Sequence, residues 1–209
     1  MPERFPDYDV LAGRDSPSWN RLTREVIDER LALQLPDGVL TPPQLATLQS
    51  VVHRICPDPP GRSATTTLAL LAHKIADDTG DGYRHCRLPR IRECWQRGLD
   101  ALEAEAPGRY GVAVAALSAE NADILLRLVS LGDVRADDWA ELPPKLFWQW
   151  RLLPDCVAAH WSQPSLWSAM GFGGPAAPRG YVRTGIDRRD PWEAIEAGEP
   201  LRGLPRHRG

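Results

Sequence analysis

Residues 41–61, TPPQLATLQSVVHRICPDPPG, contain the clearest helix signal of the 209-residue chain. Thr41 stands at the N-cap, Pro42 at the first helical position, and Gln44 at the position that completes a capping box. Apolar residues then recur at helical spacing until a proline-rich run, which ends the helix because proline lacks the amide donor. This stretch therefore predicts one helix that begins at Pro42 and ends before that run.

Similar start and stop signals occur along the rest of the chain. We expect Pro107-Gly108 to end the helix that Pro89 opens, and Pro154 to kink the long aromatic helix that follows Pro143. No segment alternates between apolar and polar residues over the length of a strand. The sequence predicts an all-α fold, an irregular bundle of about six to eight helices by these start and stop signals.

Two further helices have less regular apolar patterns. The first starts near Ser16 or Ser18. Residues 111–131 form one interrupted helix or two, and in the latter case the second follows Ser118; Gly132 ends the segment. The apolar residues of the first form one stripe, and we expect those of the second to be buried. They are Trp19, Leu22, Val26 and Leu33 in the first helix, and Ile124, Leu125, Leu128 and Leu131 in the second.

Length and composition predict one helical domain with appendages. The Pro- and Asp-rich residues 1–15 are predicted to be an extended N-terminal arm, and residues 16–162 the helical domain. Residues 163–197 are predicted to form an ordered aromatic loop, rich in glycine and proline, with a short helix that starts at Asp190. This segment packs on or beside the domain, and the polar residues 198–209 are predicted to be a flexible tail.

The composition limits the classes of function. The formal net charge is −3 and the pI is about 6.0, so no overall positive charge attracts nucleic acid or an anionic membrane. No apolar run reaches the roughly 20 residues that a transmembrane helix needs. The first residues resemble neither a signal peptide nor a twin-arginine signal. We therefore expect a cytoplasmic protein, and a periplasmic one only if the signal of a partner carries it.

The sequence contains few candidates for metal binding. His53 and Cys56 lie three residues apart on one helix, and with His85 and Cys94 they are the residues that could bind zinc. The alternative is that they are ordinary helix and core residues, because cysteine is among the most buried residue types. We favour this alternative and expect no metal in the chain.

Candidates for catalysis are equally few. Cys156 and His160 lie four residues apart on one helix, but adjacency alone does not activate a thiol. The chain has no G-x-S-x-G or S-x-x-K motif, and the glycines of residues 171–174 lack the strand and helix of a dinucleotide-binding unit. We therefore expect neither a catalytic residue nor a cofactor in this chain.

The segment 160–193 has the composition of a contact surface. Its glycines and prolines interleave, and together they specify one loop path because glycine permits a positive φ whereas proline fixes φ. Large aromatic and arginine side chains, the anchors that dominate protein interfaces, follow in the same segment. They are Trp167, Phe172, Arg179, Tyr181 and Arg183. The segment either binds another protein or packs over the helices of its own chain.

Residues 163–181, QPSLWSAMGFGGPAAPRGY, resemble the C-terminal signature of the gluconate 2-dehydrogenase subunit 3 family. The signature reads approximately HPxxWxxIGFGGPxxPxGY, so that Gln163 replaces a histidine and Met170 an isoleucine, changes that leave the loop design intact. Other segments that resemble the family are residues 5–8, 40–45, 82–84, 95–102, 182–183 and 190–193.

The resemblance implies a small, all-helical, non-catalytic subunit. Its implied partner is a flavin-dependent dehydrogenase of the glucose–methanol–choline (GMC) type, which holds FAD and oxidises a sugar or sugar acid. In several such complexes a cytochrome c takes the electrons. The small subunit is implied to support the folding, stability or export of the catalytic one. We assign partner binding to Trp167, Phe172, Gly173, Gly174, Pro175, Pro178, Arg179, Gly180, Tyr181 and Arg183.

Two other classes of function stay open at this point. One is a helical interaction module, or an assembly chaperone, for a partner without redox chemistry. The other is a metal-dependent hydrolase built on the four candidate zinc ligands. The substrate of the complex is not specified by this chain, since substrate choice belongs to the pocket of the flavin subunit.

Overall fold

The computed structural model describes residues 3–64, 66–80, 82–175 and 193–198, and this part of the chain is all-α, as the sequence predicts. It contains eight α-helices and no strand. The helices are α1 (Arg21–Leu31), α2 (Pro42–Ile55), α3 (Thr67–Asp77), α4 (Ile91–Tyr110), α5 (Ala119–Leu131), α6 (Pro144–Phe147), α7 (Leu153–Trp161) and α8 (Pro164–Trp167). No helix in this part of the chain has the length and apolar character needed to cross a bilayer.

The chain divides into two compact units. The central unit comprises residues 33–57 and 66–160, and the terminal unit comprises the described residues of 1–32, 58–64 and 161–209. Each unit has its own cluster of buried apolar side chains. The border between residues 160 and 161 lies close to the domain boundary predicted after residue 162. The borders near residues 32, 57 and 64 were not predicted from the sequence.

The central unit is built on α4, which is 20 residues long and packs against α2 and α3. Trp95, Leu99 and Leu102 lie along its buried side at helical spacing and are fully buried. Gly98 lies on the same side and leaves room for Phe147, because a Cβ atom there would lie 2.2 Å from the Cζ atom of the Phe147 ring. Phe147 then meets Trp95 edge-to-face, with ring centroids 5.6 Å apart.

The predicted start of α2 is confirmed, but the predicted end of α4 is wrong. The Thr41 amide donates to the Gln44 side chain at 3.0 Å, and the Thr41 side chain accepts from the Gln44 amide, which completes the capping box. Helix α4 continues through Pro107 to Tyr110. Gly111 ends it in the left-handed conformation, with φ of 73°, a position that glycine occupies at no steric cost.

Two apolar stripes predicted from the sequence are only partly buried. Ser118 caps α5 as expected, but Ile124 and Leu131 are 42% and 56% exposed. On α1, which begins after Asn20 rather than near Ser16 or Ser18, Leu22 and Val26 are 63% and 42% exposed. The reason is that both helices carry further apolar residues that face the core, and in α5 these lie beside Leu125, the buried member of the predicted stripe. The further residues are Ala122, Leu126 and Val129 in α5, and Ile27 in α1.

A π-helical turn, Trp148–Leu152, joins α6 to α7, so that residues 144–161 form one continuous helical run. The Leu153 amide donates to the Trp148 carbonyl five residues earlier. Pro154 follows in the first turn of α7, where it lacks a donor and its ring needs space beside the preceding turn. The widened turn therefore lies next to the proline at which the sequence predicts a kink.

The N-terminal residues of the terminal unit are not fully extended. Val10–Asp15 form a 3-10 helix, because the Asp9 side chain accepts from the Leu11 amide at 3.0 Å and Val10 is buried. Val10 packs with Trp19, Ile27 and Trp167 in the apolar cluster of this unit. The helix start predicted at Asp190 and residues 199–209 of the predicted tail lie outside the described residues, and residues 193–198, which would continue that helix, form a bend and a turn but no helix.

Candidate functional site

The predicted partner-binding segment begins at α8, and its Trp167 is buried in the terminal unit. The residue is 6% exposed, and its Nε1 atom donates to the Trp161 carbonyl at 3.1 Å. Its ring packs with Val10, Trp19 and Ile27. Trp167 therefore anchors the segment to the apolar cluster of the terminal unit. A partner would contact the residues that cover Trp167, not Trp167 itself.

Phe172 is the exposed aromatic residue of the described part of this segment. It is 41% exposed, and its ring meets Trp167 edge-to-face with centroids 5.4 Å apart and an interplanar angle of 85°. The Phe172 amide donates to the Trp167 carbonyl at 3.0 Å. Because both ring and backbone are fixed by Trp167, Phe172 is held in one orientation, which lowers the entropy that binding must remove.

Two glycines set the path of the loop. Gly171 has φ of 66°, and a Cβ atom there would lie 2.6 Å from the Phe5 ring. Gly174 has φ of 73°, and a Cβ atom would lie 3.0 Å from both Trp19 and Val10. Both positions need glycine for the backbone conformation and for space. The loop is therefore specified by its own chain as far as residue 175.

The structure brings only part of the predicted site together. Gly173 and Pro175 are half-buried beside Phe172, whereas five predicted residues lie outside the described residues. These five are Pro178, Arg179, Gly180, Tyr181 and Arg183. The sequence analysis did not assign the N-terminal segment to the site, although Phe5 backs the loop at Gly171. The signal that could have found it is the pair of aromatic residues, Phe5 and Tyr8, ahead of the first helix.

The four candidate zinc ligands occupy separate structural settings. His53 is exposed on α2, whereas Cys56, at the end of the same helix, is buried. The His85 ring lies 5.8 Å from the Trp150 ring, and Cys94 is fully buried. Among the described residues, no three histidine, cysteine or acidic side chains lie close enough together to hold a metal ion.

The buried thiols are protonated at neutral pH. Burial raises the pKa of Cys56 to about 11 and that of Cys94 to about 12. Burial also raises the pKa of Cys156 well above its ordinary value. His160, four residues later, is 1% exposed, and its Nδ1 atom lies 3.3 Å from the Thr67 hydroxyl. Since the thiolate is the nucleophilic form, this arrangement does not activate a cysteine.

Glu105 is a buried carboxylate that supports the fold. It accepts from the Ala136 amide at 2.8 Å and from the Arg135 amide at 2.9 Å, and it pairs with Arg109. Burial alone would raise the pKa of Glu105, but the two amides and the guanidinium outweigh it and hold the pKa below its ordinary value. The group is therefore a charged structural acceptor and has no free lone pair directed at solvent.

These features define a class of protein: an all-helical chain whose buried titratable groups serve packing, with an aromatic side chain presented on a rigid loop. A family model described as Gluconate 2-dehydrogenase subunit 3 matches residues 42–174, which is more than half of the chain. The chain belongs to the gluconate 2-dehydrogenase subunit 3 family, as its sequence indicates. No curated protein and no solved structure matches it.

Proposed function

We propose that this chain is a non-catalytic small subunit that binds an FAD-dependent catalytic subunit of the GMC type and stabilises or assembles it. Membership of the gluconate 2-dehydrogenase subunit 3 family supports a role as a subunit of a dehydrogenase complex. The single observation that carries the binding role is Phe172, exposed on a loop that its own chain holds rigid. An exposed aromatic ring in a fixed orientation is the type of anchor that dominates protein interfaces.

The chemistry of the described residues supports a non-catalytic role. The buried thiols have raised pKa values, and Glu105 is saturated by hydrogen bonds from its own chain. We therefore assign FAD to the catalytic subunit and no cofactor to this chain. A cytochrome c, or another acceptor, would take the electrons from the flavin. The cytoplasmic location stays a prediction, which fractionation of cells that express the full complex would test.

The proposed function predicts a yellow complex whose stability depends on Phe172. We expect the chain, co-expressed with a GMC-type flavoprotein from the same organism, to co-purify with it and to show flavin absorbance, whereas the chain alone is colourless. Phe172→Ala should raise the dissociation constant about thirtyfold, because truncation of a central aromatic anchor commonly costs about 2 kcal/mol. Titration calorimetry or biolayer interferometry with the purified flavoprotein measures this.

Leu22→Ala provides the control, since Leu22 is a 63% exposed apolar residue of the same unit. We expect it to change the dissociation constant by less than about threefold, as most surface truncations do. Circular dichroism should show unchanged helical content for both variants. A purified complex without flavin, or one that Phe172→Ala does not weaken, contradicts the proposal.

A further inference from the structure

After the exposed Lys145, the helical run 144–161 has its charged side chains on the inside and uncharged ones on the outside. Arg151 and Asp155 are 6% and 3% exposed and form an ion pair at 3.5 Å. From residue 149 to residue 158, the exposed or half-buried positions carry no charge. They are Gln149, Trp150, Leu153, Pro154, Val157 and Ala158. A helix that faces water normally has the opposite arrangement, with its charged residues outside.

The inward charges are fixed by partners in the core of the central unit. Asp155 accepts from the Lys74 ammonium at 2.9 Å and from the Trp95 indole at 2.9 Å, in addition to its pairing with Arg151. A buried charge without such partners would destabilise the fold by several kcal/mol. The orientation of the run is therefore set by Asp155, and its apolar outer face is not free to rotate inward.

An exposed aromatic group continues this outer face. Tyr83 is 68% exposed and meets Trp150 edge-to-face, with ring centroids 5.7 Å apart and an interplanar angle of 86°. Leu153 and Val157 follow Trp150 along the run and are 37% and 38% exposed. Residues at positions i and i+4 lie on one side of an α-helix, so Leu153 and Val157 share one side of α7, and Trp150 precedes them in the π-helical turn. The result is one apolar surface that extends from Tyr83 to Val157.

The segment that supplies Tyr83 to this surface is rich in arginine. The loop and helix start of residues 82–92 contain four arginines and no carboxylate, in a chain whose net charge is −3. Arg90 pairs with Asp78 at 2.7 Å, whereas the Arg84 guanidinium donates to the Leu88 carbonyl, which does not offset its charge. The Arg87 side chain is exposed and forms no ion pair within the described residues. The partner of this surface should therefore carry negative charge at the corresponding edge.

We propose that Tyr83, Trp150, Leu153 and Val157 form a second docking surface, which binds an apolar face of the flavoprotein subunit that is bordered by acidic residues. The inference rests on the proposed function and adds a contact on the central unit to the one at Phe172. Trp, Tyr and Arg are the residue types most enriched among the side chains that dominate binding energy.

A protein fits this surface better than a membrane or a second copy of the chain. Leu153 and Val157 are more than half covered by their own fold, whereas insertion at a lipid interface requires apolar side chains that reach roughly 5–10 Å into it. In a symmetric dimer through this surface the arginine-rich edges would contribute like charges, which oppose association. A flavoprotein face with acidic residues has neither disadvantage.

The test compares matched substitutions in the full chain. Val157→Asp places a charge on the surface, and Val26→Asp does the same at an equivalent exposed position of α1, where valine is 42% exposed. We expect Val157→Asp to raise the dissociation constant for the purified flavoprotein at least about thirtyfold, and Val26→Asp to change it less than about threefold. Circular dichroism and thermal denaturation show whether each variant folds.

A second pair of variants keeps the proposal testable if Val157→Asp does not fold. Arg87→Glu and Arg127→Glu both reverse a charge on an exposed arginine that has no ion-pair partner in the described chain. We expect Arg87→Glu to lower the association rate constant about tenfold at low salt, and less at high salt, because rim charges steer association. Arg127→Glu should leave the rate constant nearly unchanged.

The outcomes separate this inference from the proposed function. If the wild-type chain binds the flavoprotein and neither Val157→Asp nor Arg87→Glu weakens or slows binding, the second surface is wrong while the proposed function stands. If the wild-type chain does not bind any flavoprotein, both are overturned. Sedimentation of the wild-type chain with anionic vesicles, or a dimer that Val157→Asp dissociates, would also overturn the proposal.

Discussion

Glu105 shows how one buried residue holds two parts of the central unit together. It lies near the end of α4, and its carboxylate accepts from the amides of Arg135 and Ala136 in the segment after α5. Arg135 and Ala136 lie outside any helix, so their amides have no helical carbonyl to which they can donate. The charge of Glu105 is therefore required to satisfy donors that would otherwise be buried without a partner.

We predict that Glu105→Gln lowers the free energy of unfolding by about 2 kcal/mol at pH 7, because hydrogen bonds to a charged group are the stronger ones. The pKa of Glu105 is lowered in the folded state, so its stabilising effect is complete above its ordinary value of 4.5. The effect is lost as the pH falls through the lowered, folded-state value. The difference between wild type and variant should therefore shrink between pH 5 and pH 3, as urea denaturation at each pH would show.

Glu29→Gln is the control for this prediction, since Glu29 is an exposed residue of α1. Its effect on the free energy of unfolding should stay within about 0.5 kcal/mol at every pH. A difference for Glu105→Gln that is constant from pH 7 to pH 3 would show that the carboxylate charge does not contribute as described.

At the scale of elements, α4 contains two internal glycines with opposite roles. Gly98 leaves space for the buried Phe147 ring, whereas a Cβ atom at Gly108 would meet nothing within 4 Å. We predict that Gly98→Ala destabilises the protein by about 3 kcal/mol through overpacking. Gly108→Ala should stabilise it by about 0.5–1 kcal/mol, because alanine favours the helix. Thermal and urea denaturation of both variants measure the two effects.

The overpacking can be checked by making room for the added methyl group. The double variant Gly98→Ala, Phe147→Leu should be more stable than the sum of the two single effects, because the two positions share one space. Additive effects of the two substitutions would mean that Gly98 is needed for a reason other than the Phe147 ring.

The elements also show what the sequence can and cannot predict. Helix α2 follows from local signals alone, since its capping box and its flanking prolines lie within the helix and its borders. Local signals do not predict the end of α4. The helix accommodates Pro107 in its last turn and ends at Gly111. In α5 both apolar stripes have helical spacing, and only packing against the other helices decides which one is buried.

In the candidate site too, some features follow from local sequence and others depend on contacts with distant residues. The glycine requirement and the aromatic content of the loop at Phe172 are local properties, and the sequence predicts them. That Trp167 is buried depends on Val10 and Trp19, which lie far away in the chain. The surface at Trp150 was missed because Arg151 and Asp155 are charged and suggest an outward side, and the sequence does not show that they pair within the core.

At the scale of the whole molecule, the four cysteines differ in access. Cys86 is exposed, whereas Cys56, Cys94 and Cys156 are buried and have raised pKa values. We predict that a thiol reagent such as DTNB modifies one thiol rapidly in the native protein and the other three only in denaturant. Cys86→Ser should remove the rapid phase. Rapid modification of more than one thiol would contradict the burial of the other three.

The terminal unit also determines the order in which the chain can fold during synthesis. Trp19 and Ile27 leave the ribosome early, but Trp167, which completes their cluster, is added only after the whole central unit. At a translation rate of roughly 5–20 residues per second, these two apolar side chains stay exposed for on the order of ten seconds before Trp167 is synthesised. The first thirty or so residues of the nascent chain are therefore where we expect a ribosome-associated chaperone to bind.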